Sequence, residues 1–390
     1  MKRIALIVLG SCVLFPTFAK GQDRLRDDEM WALWNSGTTK LWGANIFQGV
    51  VETTKVKPRH WSPLLRPHDF EDLYRAGANH VNLSVPGPFE PDSGKCNAID
   101  WQLLKDRIEW AKKAKLKVVI SFRTGPGRNE ADITKPFTSE VWRDLLDKPN
   151  SPYADKFCEM WTMVANEYKN DPDVVGFDLL VEPHAKDPWK DEAPSPEFKF
   201  RKEKAWYNVA QKAIKAIRTK NTITPILIEP DAWAAAVYLN KVDGEQLSWR
   251  MPEGERLVCA AHQYAPDGYT RLQENFDVEF VDLKKAFAEI RAWRKDPDNK
   301  NAPVCVNEFG LVQRRSNGEF FLKKELRLLK ADGLNHAVWL WEVTDPKQDY
   351  RDWDVRSNPR LVRELMANWQ ENSDNQDNRR TNQRVRESFP

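Results

Sequence analysis

Eight short, largely apolar runs, at 41–47, 79–85, 116–122, 174–181, 225–229, 256–264, 302–308 and 337–342, alternate with segments of helical period. Continuous apolar character, rather than strict in–out alternation, marks strands buried on both faces of a parallel sheet. The intervening segments carry stripes such as Leu104, Ile108 and Ala111, or Trp206, Ala210, Ala213 and Ile217. Those spacings place apolar side chains on one face of a helix. The last helix is announced by Asn358 as a cap and Pro359 in its first turn, a start signal with a physical basis in the unpaired N–H groups of a helix end. After the fifth run, 234–239 is short for a helix. Eight strand–helix units predict an α/β fold, a (β/α)8 TIM barrel forming a single domain over 41–370. An open doubly wound sheet would carry a glycine-rich first turn, which is missing.

The flanks read differently. Lys2 and Arg3 precede an apolar run from Ile4 to Phe15, and Thr17-Phe18-Ala19 resembles a small-residue cleavage site. Residues 1–19 are therefore expected to be an export signal, too short to span a bilayer, with a secreted or periplasmic product. Leu9-Gly10-Ser11-Cys12 offers a lipid anchor at Cys12 as the alternative. Residues 20–40 are expected to be a polar lead-in and 371–390 a polar, disordered tail. The net charge of +2, from 60 basic and 58 acidic residues, gives no reason to expect a nucleic-acid partner, and the chain is expected to act as a monomer. Cys96, Cys158, Cys259 and Cys305 follow the signal. Cys259 and Cys305 lie in apolar runs and are expected to be buried thiols or one bridge. No pattern of Cys and His suggests a structural zinc site.

In such a barrel, function gathers where strands end. The strand-end residues in order are Asn45, Asn82 with Ser84, Arg123, Glu182, Glu229, His262 with Tyr264, Glu308, and Trp341 with Glu342. Glu182, in Glu182-Pro183-His184, and Glu308, in Asn307-Glu308-Phe309-Gly310, each close an apolar run. Two opposed carboxyls are what double-displacement cleavage of a glycosidic bond requires. The 17 Trp residues suit sugar stacking as well as core packing; Trp42, Trp189 and Trp233 are candidates for outlying sugar units.

At these positions the chain resembles a clan A glycoside hydrolase, closest to the cellulase family, family 5. Glu182-Pro183, His262-Gln263-Tyr264, Glu308-Phe309-Gly310, Trp341 and Leu41-Trp42-Gly43-Ala44-Asn45 follow that family's motifs in order, from about Leu41 to Trp369. The resemblance implies a retaining enzyme acting on a polysaccharide or oligosaccharide, glucanase-like or mannanase-like, needing neither cofactor nor metal. It makes Glu308 the ionised nucleophile and Glu182 the acid/base with a raised pKa. His262, Tyr264, Trp341, Arg123, Asn45 and Asn82 are then substrate-binding, with Trp341 as the sugar platform. Three positions depart from the family: Val181 replaces the Asn before the acid/base, Asn82 an Arg, and Arg123 a His. Arg123 is expected to supply the missing positive charge near Glu308, and pairing with Asp178 is its alternative. Glu229-Pro230 mimics the acid/base motif on the fifth strand and is read as a supporting or subsite residue. Two rivals keep the same barrel, a catalytically silent sugar binder and a transglycosylase. A metal-dependent barrel hydrolase is disfavoured because the six His do not gather at strand ends.

Overall fold

The computed structural model describes residues 29–35, 40–48, 50–51, 60–61, 65–129, 145, 151–183, 196–231, 233–240, 249–264, 281–343 and 352–372. The expected signal, the Cys12 anchor, His184, Trp189, the Glu342 side chain and the tail from 373 onward lie outside what is described. The eight apolar runs form eight parallel strands: β1 Trp42–Phe47, β2 His80–Pro86, β3 Lys117–Thr124, β4 Val174–Asp178, β5 Ile226–Ile228, β6 Leu257–Gln263, β7 Val304–Phe309 and β8 Asn335–Val343. Each pairs with the next in chain order, and β8 closes on β1. The expected (β/α)8 barrel is the observed fold.

Helices α1 Pro67–Arg75, α2 Ala98–Lys113, α3 Pro152–Glu167, α4 Pro196–Arg218, α5 Val281–Lys295, α6 Gly318–Ala331 and α7 Pro359–Gln370 follow the helical stripes. Their starts are set by local chemistry. The Asn97 side chain accepts from the N–H groups of Ile99 and Asp100, and Ser151 accepts from Ala154. Asn358 accepts from Arg360 with Pro359 in the first turn, as its sequence predicts. Among the described residues between β5 and β6, the segment short for a helix forms only a 3-10 turn at Ala236–Tyr238. No described helix is long and apolar enough to cross a membrane.

The main core lies between strands and helices, and holds Trp161, Trp206, Trp293 and Trp369 fully buried. The barrel interior has two levels. Its floor is apolar: Val119, Val175, Leu227, Val258, Ala260 and Cys305 pack together with Met30, Trp34 and Leu41. Above it, the next inward positions are polar, because strand side chains alternate with period two: Ser121 follows Val119, Asn307 follows Cys305, Glu229 follows Leu227, and His262 follows Ala260. Register puts these on one level, with Asn45 opposite Asn82, Ser121 opposite Asp178, and His262 opposite Glu308.

One expectation changes here and one open alternative is settled. Part of the polar lead-in is structural: a helical turn at 29–32 delivers Met30 and Trp34 to the barrel floor, where the Trp34 indole N–H donates to the Val175 carbonyl at 2.8 Å. The fit is tight, since a Cβ added at Gly176 would stand 2.8 Å from Leu227 and 3.3 Å from Trp34. And Cys259 and Cys305 are both buried free thiols, not a bridge.

Candidate active site

The acid that ends the fourth run does not end a strand. β4 stops at Asp178, and residues 179–182 leave the ladder as an irregular turn. Glu182 takes φ +51°, the left-handed region that non-glycine residues enter at a cost. Its main chain is held from three sides. The Glu182 N–H donates to Glu229 Oε2 at 2.6 Å, the Arg128 guanidinium donates to the carbonyls of Val181 and Glu182, and the Val181 N–H donates to the Phe122 carbonyl. Glu308, by contrast, lies within β7 one residue before its end. The glycine two residues on has a steric reason: Gly310 has φ +151°, and a Cβ there would stand 2.4 Å from the Trp339 carbonyl oxygen.

His262 organises the centre. Its Nδ1 lies 3.0 Å from Glu182 Oε1 and 3.4 Å from Glu308 Oε2, and its Nε2 lies 3.0 Å from Glu229 Oε1. The imidazole, the Glu182 carboxyl and the Glu308 carboxyl each offer an atom within 4.8 Å of the others. Such a donor set could also hold a divalent cation. The Tyr264 hydroxyl donates to Glu308 Oε2 at 3.0 Å. Beneath this lies a buried layer: Asn307 Nδ2 donates to Asp178 Oδ2 at 2.8 Å and to Glu229 Oε1 at 2.9 Å, and Ser121 donates to Asp178 at 2.9 Å.

Protons are distributed in this site against expectation. Burial pushes the Glu308 carboxyl up, to about 8; the charges of His262 and Arg123 oppose the rise, while those of Glu182 and Glu229 add to it. Burial also pushes Glu182 up, but the hydrogen bond and charge of His262, with Arg123 and Arg128, outweigh it and leave this carboxyl below its usual range. The difference follows the hydrogen bond that His262 makes to Glu182. The Glu308 side chain is 5% accessible and that of Glu182 21%, and the imidazole is closer to Glu182. These directions run against the sequence reading of an ionised Glu308 beside a protonated Glu182: with one proton between the pair, the ligand-free site favours Glu308 as its holder. Burial would neutralise His262, yet Glu229 and Glu308 raise its pKa well above the ordinary value. Burial and the two glutamates likewise keep the Tyr264 hydroxyl protonated. Asp178 is pushed well up by burial and by Glu229.

Several expected binding residues have other partners. Asn45 and Asn82 are buried and both donate to the Asn307 carbonyl, at 2.8 and 3.0 Å; they fix the main chain beside Glu308 rather than line the opening. Arg123 does join the site, its guanidinium lying 4.9 Å from the Phe47 ring centre and 5.1 Å from that of Trp339. Asp178 is bonded to Ser121 and Asn307. Trp341 is misplaced by the sequence reading. It is buried in the helical layer with its ring 6.0 Å from Trp369, while Trp339 packs over Phe47 beside Tyr264 and Trp353. The regular alternation is broken at this point: Ala44 pairs with Val338 and Ile46 with Glu342, so two residues of β1 oppose four of β8. Trp42 stacks on His336 at 5.1 Å, as packing. Sequence reasoning gave Asn307 no role, Asp178 only that of an alternative partner for Arg123, and Arg128 none. The signal for the first two was present, a polar residue at an inward position of a run otherwise apolar.

Comparisons with known proteins bear on the barrel and on its family. The family model for cellulase, glycosyl hydrolase family 5, matches residues 48–345. Endoglucanase C of Acetivibrio thermocellus is 24% identical over 143 residues, 36% of this chain and 39% of its own length. A probable glucan 1,3-beta-glucosidase A of Aspergillus fumigatus is 33% identical over 94 residues, 22% of this chain and 21% of its own length. The chain thus spans about two fifths or less of these curated relatives. Among solved structures, the endoglucanase Cel5A of Thermotoga maritima superposes with a TM-score of 0.59 at 18% identity, covering 87% of this chain and 99% of that one. A Bacteroidetes-affiliated cellulase linked with a polysaccharide utilization locus gives 0.65 at 15% identity, covering 92% and 97%. At those identities the structural likeness speaks for the barrel alone, and the family match speaks for more: with it extending over more than half of the sequence, the chain belongs to glycosyl hydrolase family 5, the cellulase family.

Proposed function

We propose that the chain hydrolyses β-glycosidic bonds of a glucan or a related β-linked polysaccharide by double displacement with retention. The observation that carries this is the approach of the two carboxyls, with one oxygen of each within 4.8 Å of the other. That leaves room for a sugar carbon but not for a water between carboxylate and sugar, as inversion would need; retaining sites hold their carboxyls about 5–5.5 Å apart. In the reactive form the shared proton sits on Glu182. Glu308 Oε attacks the anomeric carbon as the glycosidic C–O bond breaks, and the Glu182 proton passes to the departing oxygen. Glu182, now a carboxylate, then takes a proton from water as that water attacks the same carbon and releases Glu308. Tyr264, donating to Glu308, fixes which of its oxygens faces the sugar. His262 Nδ1, near one oxygen of each glutamate, is placed to move the shared proton between them.

The test is reducing-sugar release by the purified protein from β-glucans, β-mannans and xylans, with Glu308→Gln as the matched control. Release from one polymer class that falls by about 10³-fold or more in the variant is expected. Equal release by both proteins, or none from any polymer, overturns the assignment. Products longer than the substrate would show that sugar rather than water accepts the glycosyl group.

A further inference from the structure

We propose that Glu229 is a positioning residue of this reaction, holding Glu182 in the attitude from which it protonates the leaving oxygen. The inference rests on the reading of Glu182 as the acid. Glu229 follows β5, is fully buried, and has no route to a substrate. Its two oxygens meet donors from three other parts of the barrel: the Glu182 N–H at 2.6 Å, the Asn307 amide at 2.9 Å and His262 Nε2 at 3.0 Å. Only a carboxylate can accept on both oxygens at once; an amide would turn an N–H toward one of these donors. Its own main chain is fixed too, since the Trp206 indole N–H of α4 donates to the Glu229 carbonyl at 2.8 Å.

Glu229 therefore grips Glu182 twice. It holds the main chain directly, where the residue sits at φ +51°, a conformation that persists only when its surroundings impose it. It holds the side chain through His262: with Nε2–H given to Glu229, the ring's other nitrogen is fixed against Glu182 Oε1 at 3.0 Å. A carboxylate orienting an imidazole that in turn orients the acting group is a familiar way to fix a proton's position. A role confined to stability would use the same hydrogen bonds but leave no imprint on the leaving group.

The leaving group is accordingly the readout. Wild type, Glu182→Gln, Glu229→Gln and Glu229→Asp are compared by kcat/KM on phenyl and 2,4-dinitrophenyl β-cellobiosides, or the corresponding β-mannobiosides if mannan is the polymer cleaved. Dinitrophenolate departs without a proton, phenolate does not, and kcat/KM reports the step in which it leaves. For Glu229→Gln we expect a loss of about 30-fold or more on the phenyl substrate and within about threefold on the dinitrophenyl one, general acid catalysis being worth ~10²–10⁴-fold. Glu182→Gln should show the same pattern more strongly. Glu229→Asp keeps the charge but is one methylene too short to keep every partner, so it should show the pattern more weakly. It also carries the comparison if the glutamine variant fails to fold. Equal losses on both substrates in the Glu229 variants, with Glu182→Gln selective, would overturn the positioning role alone. An unselective Glu182→Gln would overturn the acid assignment, and the inference with it.

Discussion

Replacing Trp34 with alanine tests whether the segment before the barrel is part of its structure. The indole is 5% exposed, packs among Val119, Val175, Leu227 and Cys305, and donates to the Val175 carbonyl at 2.8 Å. Truncating a buried Trp costs about 3–5 kcal/mol, and the floor has little freedom to collapse because it is formed by closed strands. The described residues lie between 29 and 372; at about 2.1 cal/mol/K per residue over that span the unfolding entropy is about 0.7 kcal/mol/K, so the melting temperature should fall by about 4–7 °C. Trp34→Phe keeps most of the packing and loses the hydrogen bond, and should cost about 1–2 kcal/mol. Thermal melts followed by circular dichroism give both values. The floor lies at the far end of the barrel from Glu182 and Glu308, so kcat/KM at 25 °C should stay within about twofold of wild type. A Trp34→Ala protein melting within 1 °C of wild type, on the order of the measurement error, would refute the reasoning and return this segment to a passive lead-in.

Two further outcomes follow from the site. The pair Glu182/Glu308 needs one proton to act, and loses it as the pH rises through about 8, the value to which burial lifts Glu308; it gains a second only below the usual carboxylate range, where Glu182 titrates. The pH profile of kcat/KM should therefore be a broad bell with its alkaline limb near 8, both limbs belonging to the pair, and a profile still flat at pH 10 would contradict the proton placement. Trp341→Ala should lower the melting temperature, as loss of a buried Trp costs about 3–5 kcal/mol, and leave kcat/KM within about threefold, whereas Trp339→Ala should lower kcat/KM by at least about tenfold; the reverse result would restore Trp341 as the platform.

The barrel was legible because its elements write themselves locally: buried parallel strands as continuous apolar runs, helices as stripes, α7 by Asn358 and Pro359. The two glutamates, His262 and Tyr264 were legible because each ends or follows a run and the structure brings all four together. Depth was not. Asn45 and Asn82 face inward as their positions require, but period two does not say whether an inward residue reaches the opening or the layer beneath, and both are bound to the Asn307 carbonyl. Facing failed at β8, where the ladder to β1 is irregular between Val338 and Glu342 and Trp339 and Trp341, two residues apart, pack in different clusters, because such an irregularity is a property of two paired strands and is written in neither. Trp34 was missed because one helical turn is too short to show a period. The proton's place depends on how closely His262 approaches each of the two carboxyls, a geometry that exists only once the chain has folded.

The buried layer under Glu182 and Glu308 has a consequence for anyone who would engineer this chain. Glu229 and Glu308 face one imidazole, with Asp178 joined to Glu229 through Asn307, in a space that water scarcely reaches. Gathering such groups is costly, and well-packed apolar replacements of buried ionic clusters are often neutral or stabilising. A library sorted by heat resistance alone would drift toward such replacements, and its best performers would be inert. Thermostability should instead be sought at the other end of the cylinder, on the floor sealed by Met30 and Trp34, where tighter packing leaves the chemistry untouched.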